Sequence, residues 1–179
     1  EQIIQSFPAA VQTMLDPADC GPACIALSQD IQGQTFDYPE EFFKERVHAI
    51  RRPRPDEFQI KEAAEKIKSS KNPIIISGGG VFYSDAMEEL SQFSIKHNIP
   101  VTQTVMGYST MKRDHSHFAG QIGGLGGKNT NTLAKETDLA IAVGTKLADF
   151  TTGSWANFEN ENFKLVSINV SRFDANKHL

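Results

Sequence analysis

The sequence predicts an α/β fold in which a parallel β-sheet is covered by helices. Four segments of strand length, residues 74–77, 101–104, 139–143 and 165–170, carry this prediction, and the three adjacent isoleucines of the first segment are typical of a strand buried on both faces. Glycines follow the first and third runs, where the chain can turn sharply. Because helical connections join parallel strands by right-handed crossovers, the strands are expected to share one parallel sheet.

The helices are predicted from capping residues and apolar spacing. Asp56 and Gln59 resemble a capping box, and a stripe follows at Ile60, Ala63, Ala64 and Ile67. Ser84 is expected to cap a helix over residues 85–96. A further crossover helix is expected before residue 138, capped by Asn129 or Thr130, with Leu133 and Ala134 facing inward.

The remaining segments have weaker patterns. Residues 9–15 predict a helix and residues 23–27 a buried strand, two elements that cannot bury each other alone. Residues 35–55 are aromatic, charged and proline-rich, which indicates an interdomain linker with one short helix. Residues 145–162 predict a long loop with a helical turn around Trp155, and no helix is predicted after the last strand.

Composition excludes several classes of function. The 179 residues carry a net charge of −4 and a pI of about 5.7, which gives no basic surface for nucleic acid. No apolar run approaches the roughly 20 residues of a membrane helix, and no signal-peptide pattern is present, so we expect a cytoplasmic protein. Cys20 and Cys24 are too few for a disulfide framework and are expected to be buried, inert thiols.

Two glycine clusters, residues 78–80 and 120–127, partly resemble phosphate-binding motifs. A G-x-G-x-x-G pattern aligned on Gly78 and Gly80 places Tyr83 at the third glycine, and no acidic residue ends the next strand, which disfavours NAD. A P-loop over residues 122–129 fails because Ile122 replaces its first glycine and Asn129 its serine or threonine. Tight packing turns are therefore favoured over phosphate sites at both clusters.

Other candidate sites are weaker. His115 and His117 could supply two metal ligands, but only Asp114 lies nearby in sequence, so a solvated loop is favoured. No G-x-S-x-G elbow supports a serine hydrolase. Asp149 follows the carboxyl end of a predicted strand, where it could serve a ligand, an interdomain contact or a loop cap.

The order of five motifs resembles the central domain of thiamine-diphosphate-dependent enzymes, the acetohydroxyacid synthase and pyruvate oxidase group. These motifs are P-I-I-I-S-G-G-G, N-I-P-V-T-Q-T, G-Q-I-G-G-L-G, E-T-D-L-A-I-A-V-G-T-K-L-A-D-F and L-V-S-I-N-V. Within the family, the segments D-P-A-D-C-G-P-A-C-I-A-L-S-Q-D, Y-P-E-E-F-F-K-E-R and I-N-V-S-R-F-D-A-N-K-H are similar to a member that hydrolyses a cyclic 1,2-dione in myo-inositol catabolism.

The resemblance implies a domain organisation. Residues 1–34 would be the C-terminal tail of a pyrimidine-binding domain, residues 35–55 a linker, and residues 56–179 a Rossmann-like central domain truncated at its C-terminal end. The sequence would then be a fragment of a homo-oligomeric hydrolase. In the family, a Glu of the pyrimidine-binding domain activates the cofactor, and a G-D-G motif with a downstream Asn binds Mg²⁺ and the diphosphate. Neither is found in these residues. We expect no catalytic or metal-binding residue here and no tightly bound cofactor.

The resemblance also nominates candidate site residues, because some family central domains bind FAD or ADP. By position these are Gly79, Gly80, Gly124, Gly126, Gly144 and Thr145, which would form a nucleotide pocket or an interdomain pocket. Lys146 stands where FAD-binding relatives commonly have Arg, and it cannot form a planar bidentate fork. Two hypotheses therefore stand: an architectural domain of a thiamine enzyme, or a stand-alone nucleotide-binding α/β protein.

Overall fold

The computed structural model describes residues 1–178. The chain divides into two compact units, Glu1–Pro53 and Arg54–Leu179. Among the described residues, no helix is both long and apolar enough to cross a lipid bilayer.

The first unit is built from helical segments and an aromatic cluster. Helix α1 spans Ile3–Leu15, α2 spans Gln29–Gln32, and a 3₁₀ turn spans Glu40–Phe43. Phe42 stacks on Tyr38 and meets Phe7 edge-on, with ring centroids 5.6 and 6.5 Å apart. These rings supply apolar contact that the short helices alone could not provide.

Two predictions for the first unit are wrong. Residues 23–27 form no strand, because this unit has no other strand to pair with their backbone, and Leu27 is exposed. Cys20 and Cys24, predicted to be buried, are exposed free thiols. The helix predicted over residues 9–15 exists but begins earlier, at Ile3.

The second unit contains a parallel sheet and six helices among its described residues. Its strands are β1 Pro73–Ser77, β2 Val101–Gln103, β3 Phe118–Gln121, β4 Leu139–Val143 and β5 Lys164–Ile168. Its helices are α3 Glu57–Ser69, α4 Gly79–Tyr83, α5 Met87–His97, α6 Lys128–Glu136, α7 Asp149–Thr152 and α8 Arg172–Asn176, and a 3₁₀ turn covers Val105–Gly107.

The sheet confirms the predicted parallel α/β fold. Its strand order is β3-β2-β1-β4-β5, and every neighbouring pair is parallel. Ile75 of the central strand lies opposite Val101 on one side and Ile141 on the other. Strand β3 was not predicted, because its sequence F-A-G-Q is half-buried at the sheet edge and lacks an apolar run.

Both faces of the sheet are covered, which explains the continuous apolar sequence of β1. Ile75 packs on one face with Leu90 of α5 and with α3, whereas Ile74 and Ile76 pack on the other with Ala134 of α6. Alternate side chains of the strand therefore enter two separate cores.

The helix boundaries confirm some predictions and correct others. The Asp56 capping box of α3 is present, with the Gln59 N–H donating to Asp56 Oδ1 at 2.8 Å. Ser84 does not cap α5, because the glycine run itself starts a short helix, α4, and Ser84 ends it. The next residue, Asp85, has a φ of 52°, and α5 starts at Met87.

The later helices also differ from prediction. Gly127 is the N-cap of α6, so Asn129 and Thr130 lie inside the helix, and Leu133 is 38% exposed whereas Ala134 is buried. The predicted turn around Trp155 is present, with the Phe158 N–H donating to the Trp155 carbonyl at 3.2 Å, and the unpredicted helix α7 precedes it. Helix α8 follows β5 where no helix was predicted.

Asp138, which directly precedes β4, forms side-chain hydrogen bonds with the loop before β1. Its carboxylate accepts hydrogen bonds from the Lys71 N–H at 2.8 Å, the Asn72 N–H at 3.0 Å and the Ser70 hydroxyl. Desolvation raises the pKa of Asp138, but these hydrogen bonds outweigh it and hold the pKa below its ordinary value. The ionised carboxylate therefore stabilises the junction.

Replacing Ile75 by alanine is expected to lower the free energy of unfolding by about 2–5 kcal/mol, because the loss of this buried side chain leaves a cavity. The same change at exposed Ile95 on α5 is expected to cost less than about 0.5 kcal/mol. Phe158→Ala should fall between them, because the ring only borders the core. Urea denaturation measures all three, and equal midpoints for the Ile75 and Phe158 variants would contradict this assignment of burial.

Asp138→Asn is expected to destabilise the fold by about 1–3 kcal/mol at pH 7, because the amide cannot accept all three hydrogen bonds. Since the folded pKa lies below the ordinary value of 3.8, the carboxylate's contribution is present above that pH and is lost as the pH falls through the folded value. Wild type and variant should therefore converge in stability at acidic pH, while the exposed Asp114→Asn control differs little from wild type throughout. A pH-independent gap in denaturation curves would argue against this role.

Candidate functional site

The strand order places a topological switch point between β1 and β4. The chain proceeds from β1 to β2 and β3 on one side and then returns to β4 on the other. In open α/β sheets, ligands bind in the crevice outside the carboxyl ends of the strands at such a point. Gly79, Gly80, Gly144 and Thr145 all follow these two strand ends, so the fold brings these four candidate residues together.

Glycine backbones fill this crevice. The Gly80 N–H donates to the Gly144 carbonyl at 3.0 Å, and the Gly78 N–H donates to the Val143 carbonyl at 2.9 Å. A Cβ on Gly80 would lie 2.6 Å from the Gly144 Cα, a distance that real side chains do not reach. Gly144 itself has a φ of 59°, which favours glycine. The two turns are packed directly against each other.

The second candidate pair lies in the loop after β3 and is held by other contacts. The Gly124 N–H donates to the Phe150 carbonyl at 2.7 Å, and the Gly126 N–H donates to the Gly123 carbonyl at 2.8 Å. Asn131 of α6 secures the same loop, because its side chain both accepts from the Gly123 N–H and donates to the Gly123 carbonyl, each at 3.0 Å. The loop is therefore fixed by the protein's own groups.

To bind at this edge, the diphosphate group of a nucleotide would need free backbone N–H groups and a nearby cation. The amides of Gly80, Gly124, Gly126 and Gly144 already donate to carbonyl oxygens. The Lys146 Nζ lies 3.6 Å from Asp174 Oδ2, so a carboxylate offsets the positive charge of this lysine. The donors at this edge therefore fit a diphosphate poorly.

A buried polar network beside the crevice was not predicted. The Ser77 hydroxyl donates to Thr110 Oγ1 at 2.6 Å, and the Thr110 hydroxyl donates to the Gly107 carbonyl at 2.7 Å. Gln103 Nε2 donates to the Met111 carbonyl at 3.0 Å. The network fixes the loop after β2 against the end of β1. Its signal in the sequence was the polar run Thr102, Gln103 and Thr104 within a predicted strand of the sheet.

The remaining candidates have structural partners. His115 Nε2 lies 3.0 Å from the Ser91 hydroxyl, and His117 Nε2 lies 2.9 Å from Asn98 Oδ1, so both half-buried rings attach their loop to α5 and its C-cap instead of lying free in solvent. Asp149 is exposed and begins α7, and its carbonyl accepts from the Ser154 N–H at 3.1 Å. Within residues 1–178, no group of three His, Cys, Asp or Glu side chains could hold a metal ion.

Comparisons with known proteins agree with this architecture. The family described as "Thiamine pyrophosphate enzyme, central domain" matches residues 60–179. Three curated relatives are 3D-(3,5/4)-trihydroxycyclohexane-1,2-dione hydrolases: those of Clostridium botulinum strain Eklund 17B at 46% identity and Clostridium perfringens strain 13 at 45%, and hydrolase 1 of Bacillus cereus strain ZK at 44%.

Each of these alignments covers 177 residues, 99% of this chain but only 28% of the relative. The chain thus spans little more than a quarter of the length of the curated relatives it matches. The family match itself covers about two thirds of the chain and includes the whole described sheet. The chain belongs to the family of thiamine pyrophosphate enzyme central domains.

Proposed function

We propose that the chain is part of a thiamine-diphosphate-dependent hydrolase that cleaves a carbon–carbon bond of 3D-(3,5/4)-trihydroxycyclohexane-1,2-dione in myo-inositol catabolism. The observation that carries the proposal is the 44–46% identity to hydrolases of this name over 99% of the chain, together with the family match. The parent enzyme would be a cytoplasmic homo-oligomer.

The proposed division of the chain follows the family. Residues 1–34 are the tail of a pyrimidine-binding domain, residues 35–55 a linker, and residues 56–179 the central domain. The boundary between the two compact units after Pro53 supports a division close to this point. The partners of the central domain are then the pyrimidine-binding and diphosphate-binding domains of the same polypeptide.

Thiamine diphosphate and Mg²⁺ are assigned to those partner domains. When bound, the cofactor serves as an electron sink for cleavage of a bond next to a carbonyl group. Mg²⁺ bound to a diphosphate needs carboxylate, amide or water oxygens in octahedral geometry. The described residues offer no cluster of acidic or histidine side chains for that purpose, so they do not fit the group. The catalytic steps would therefore belong to the other domains.

The chain's own role is architectural. Gly79, Gly80, Gly144 and Thr145 close the crevice at the switch point, and Gly124 and Gly126 lie in a loop held by the chain's own groups. This supports the interdomain interpretation of the six candidate residues over the nucleotide pocket. The alternative is a stand-alone domain that binds FAD or ADP, which would have to displace the hydrogen bond from Gly80 to the Gly144 carbonyl.

The isolated chain is expected to show no micromolar binding of thiamine diphosphate with Mg²⁺ and no hydrolysis of the dione, because the groups that hold the cofactor belong to other domains. The polypeptide encoded by the complete source gene is expected to do both. Isothermal titration and an assay of dione consumption measure this on the two proteins side by side.

FAD and ADP in parallel titrations test the alternative. A ligand at a hundred times its dissociation constant stabilises a protein by about 2.7 kcal/mol, so thermal unfolding provides a second readout. Micromolar thiamine diphosphate binding or dione turnover by the isolated chain would contradict the architectural role. A nucleotide-induced rise in its unfolding temperature would favour the stand-alone domain.

A further inference from the structure

The connection before β3 is attached to helix α5 by two histidine side chains. His115 Nε2 lies 3.0 Å from the Ser91 hydroxyl of α5, and His117 Nε2 lies 2.9 Å from Oδ1 of Asn98, the C-cap of that helix. Both rings are half-buried, and their centroids lie 5.8 Å apart. The two attachments are similar in geometry, but they differ in how each ring would respond to a proton.

The second ring nitrogen of His115 fixes the protonation state of this side chain. The His117 N–H donates to His115 Nδ1 at 3.1 Å, so Nδ1 carries no proton. The ring is therefore the neutral tautomer with its proton on Nε2, which donates to the Ser91 hydroxyl oxygen. Protonation of Nδ1 would place two N–H donors against each other, and the hydrogen bond from the His117 N–H would be lost.

His117 differs, because both of its side-chain hydrogen bonds are compatible with a second proton. Its Nε2–H donates to Asn98 Oδ1, and its Nδ1 lies 2.9 Å from the Ser116 hydroxyl. A hydroxyl group both donates and accepts, so the Ser116 oxygen can accept from a protonated Nδ1. His115 is therefore the ring whose hydrogen bonds require the neutral state, and His117 is a control within the same connection.

The charged groups around His115 do not compensate for an added charge. Within residues 1–178, no ion pair joins the His115 ring to a carboxylate. Glu88 lies one helical turn before Ser91, but its Oε1 accepts from Gln92 Nε2 at 2.9 Å. A protonated His117 ring would repel a protonated His115 ring. Strands β2 and β3 carry no charged residue, and the other groups of α5 and of the connection that are charged near neutral pH are Glu89, Lys96, His97, Lys112, Arg113 and Asp114.

The start of β3 depends on this connection. Strand β3 has four residues, lies at the edge of the sheet and is half-buried throughout. The Val101 N–H donates to the His117 carbonyl at 2.8 Å, and the Phe118 N–H donates to the His115 carbonyl at 2.9 Å, so the backbone of both histidines anchors the strand. Elements with few buried contacts open locally at the lowest free energy. A change at His115 should therefore appear first in β3.

We propose that His115 is a pH-sensitive latch, whose neutral ring holds the connection before β3 against α5 and whose protonation releases the connection and loosens β3. Histidine is the side chain that ordinarily takes up a proton between about pH 8 and pH 5. Because the hydrogen bond from the His117 N–H needs the neutral ring, the latch is closed at the upper end of this range and opens as the pH falls. The device does not depend on the proposed function, since all its groups lie in the second unit.

Hydrogen–deuterium exchange of the 179-residue chain tests the latch. The protection factors of the β3 amides, taken relative to the intrinsic exchange rate at each pH, should fall about tenfold between about pH 7.5 and about pH 5, the size expected when a hydrogen bond is lost and its donor is left unpaired. The amides of β4 are the internal control and should change little, because no histidine lies in β4 or beside it.

Two substitutions separate the roles of the two histidines. An asparagine Oδ1 can accept from the backbone N–H two residues further along the chain, as His115 Nδ1 does, but it does not titrate. His115→Asn should therefore remove the pH-dependent fall in β3 protection, even where the loss of the Ser91 contact lowers protection at both pH values. In His117→Gln the side-chain amide can still donate to Asn98 Oδ1, so the fall should remain about tenfold, as in wild type.

Ring-nitrogen NMR of the wild-type chain adds a readout that needs no variant. At about pH 7.5 the His115 ring should be the neutral tautomer with its proton on Nε2. Four results would overturn the proposal: a proton on His115 Nδ1 at that pH, β3 protection that is the same at both pH values, an equal fall in β3 and β4, or a wild-type pH dependence in His115→Asn.

Discussion

The contact between the Gly80 and Gly144 backbones is the constraint on which the rest of the second unit depends. Strands β1 and β4 are in register up to Ser77 and Val143, so the chain leaves the sheet at two adjacent points. Without side chains, the two turns can share a hydrogen bond of 3.0 Å. This contact sets where α4 begins, and it thereby sets the path of the crossover to β2 and the position of the loop that leads to α7.

The same contact determines what this edge can do. A doubly wound sheet offers its crevice to ligands at the switch point, but here the Gly80 and Gly144 backbones are in contact and the amides of both residues already donate to carbonyl oxygens. The connections that follow the strands at this edge also carry exposed apolar side chains, among them Met106, Leu125 and Phe150. Under the proposed function, this edge would contribute a packing surface to a larger enzyme, and the chain's membership of a family of central domains supports that role.

The elements that could be predicted from the sequence are those whose pattern lies within a few consecutive residues. The isoleucines of β1 and the run of β4 are buried on both faces, so their composition alone identifies them, and the capping box at Asp56 lies within four residues. Strand β3 was missed because half-burial at an edge leaves no apolar run. Residues 23–27 have strand composition but no neighbouring strand. The six candidate residues were located by position, but whether their amides are free depends on contacts between distant segments, such as Gly124 with Phe150.

The most direct test of this account is the stability of Gly80→Ala. Gly80 lies in α4, where helix propensity alone predicts that alanine stabilises by about 1 kcal/mol. The backbone contact predicts the opposite sign, a loss of about 1–3 kcal/mol, because the new Cβ would lie 2.6 Å from the Gly144 Cα. Gly124→Ala is the matched control, since its Cβ would make an ordinary 3.6 Å contact with Phe150. Urea denaturation in which Gly80→Ala equals or exceeds wild type in stability would contradict the account.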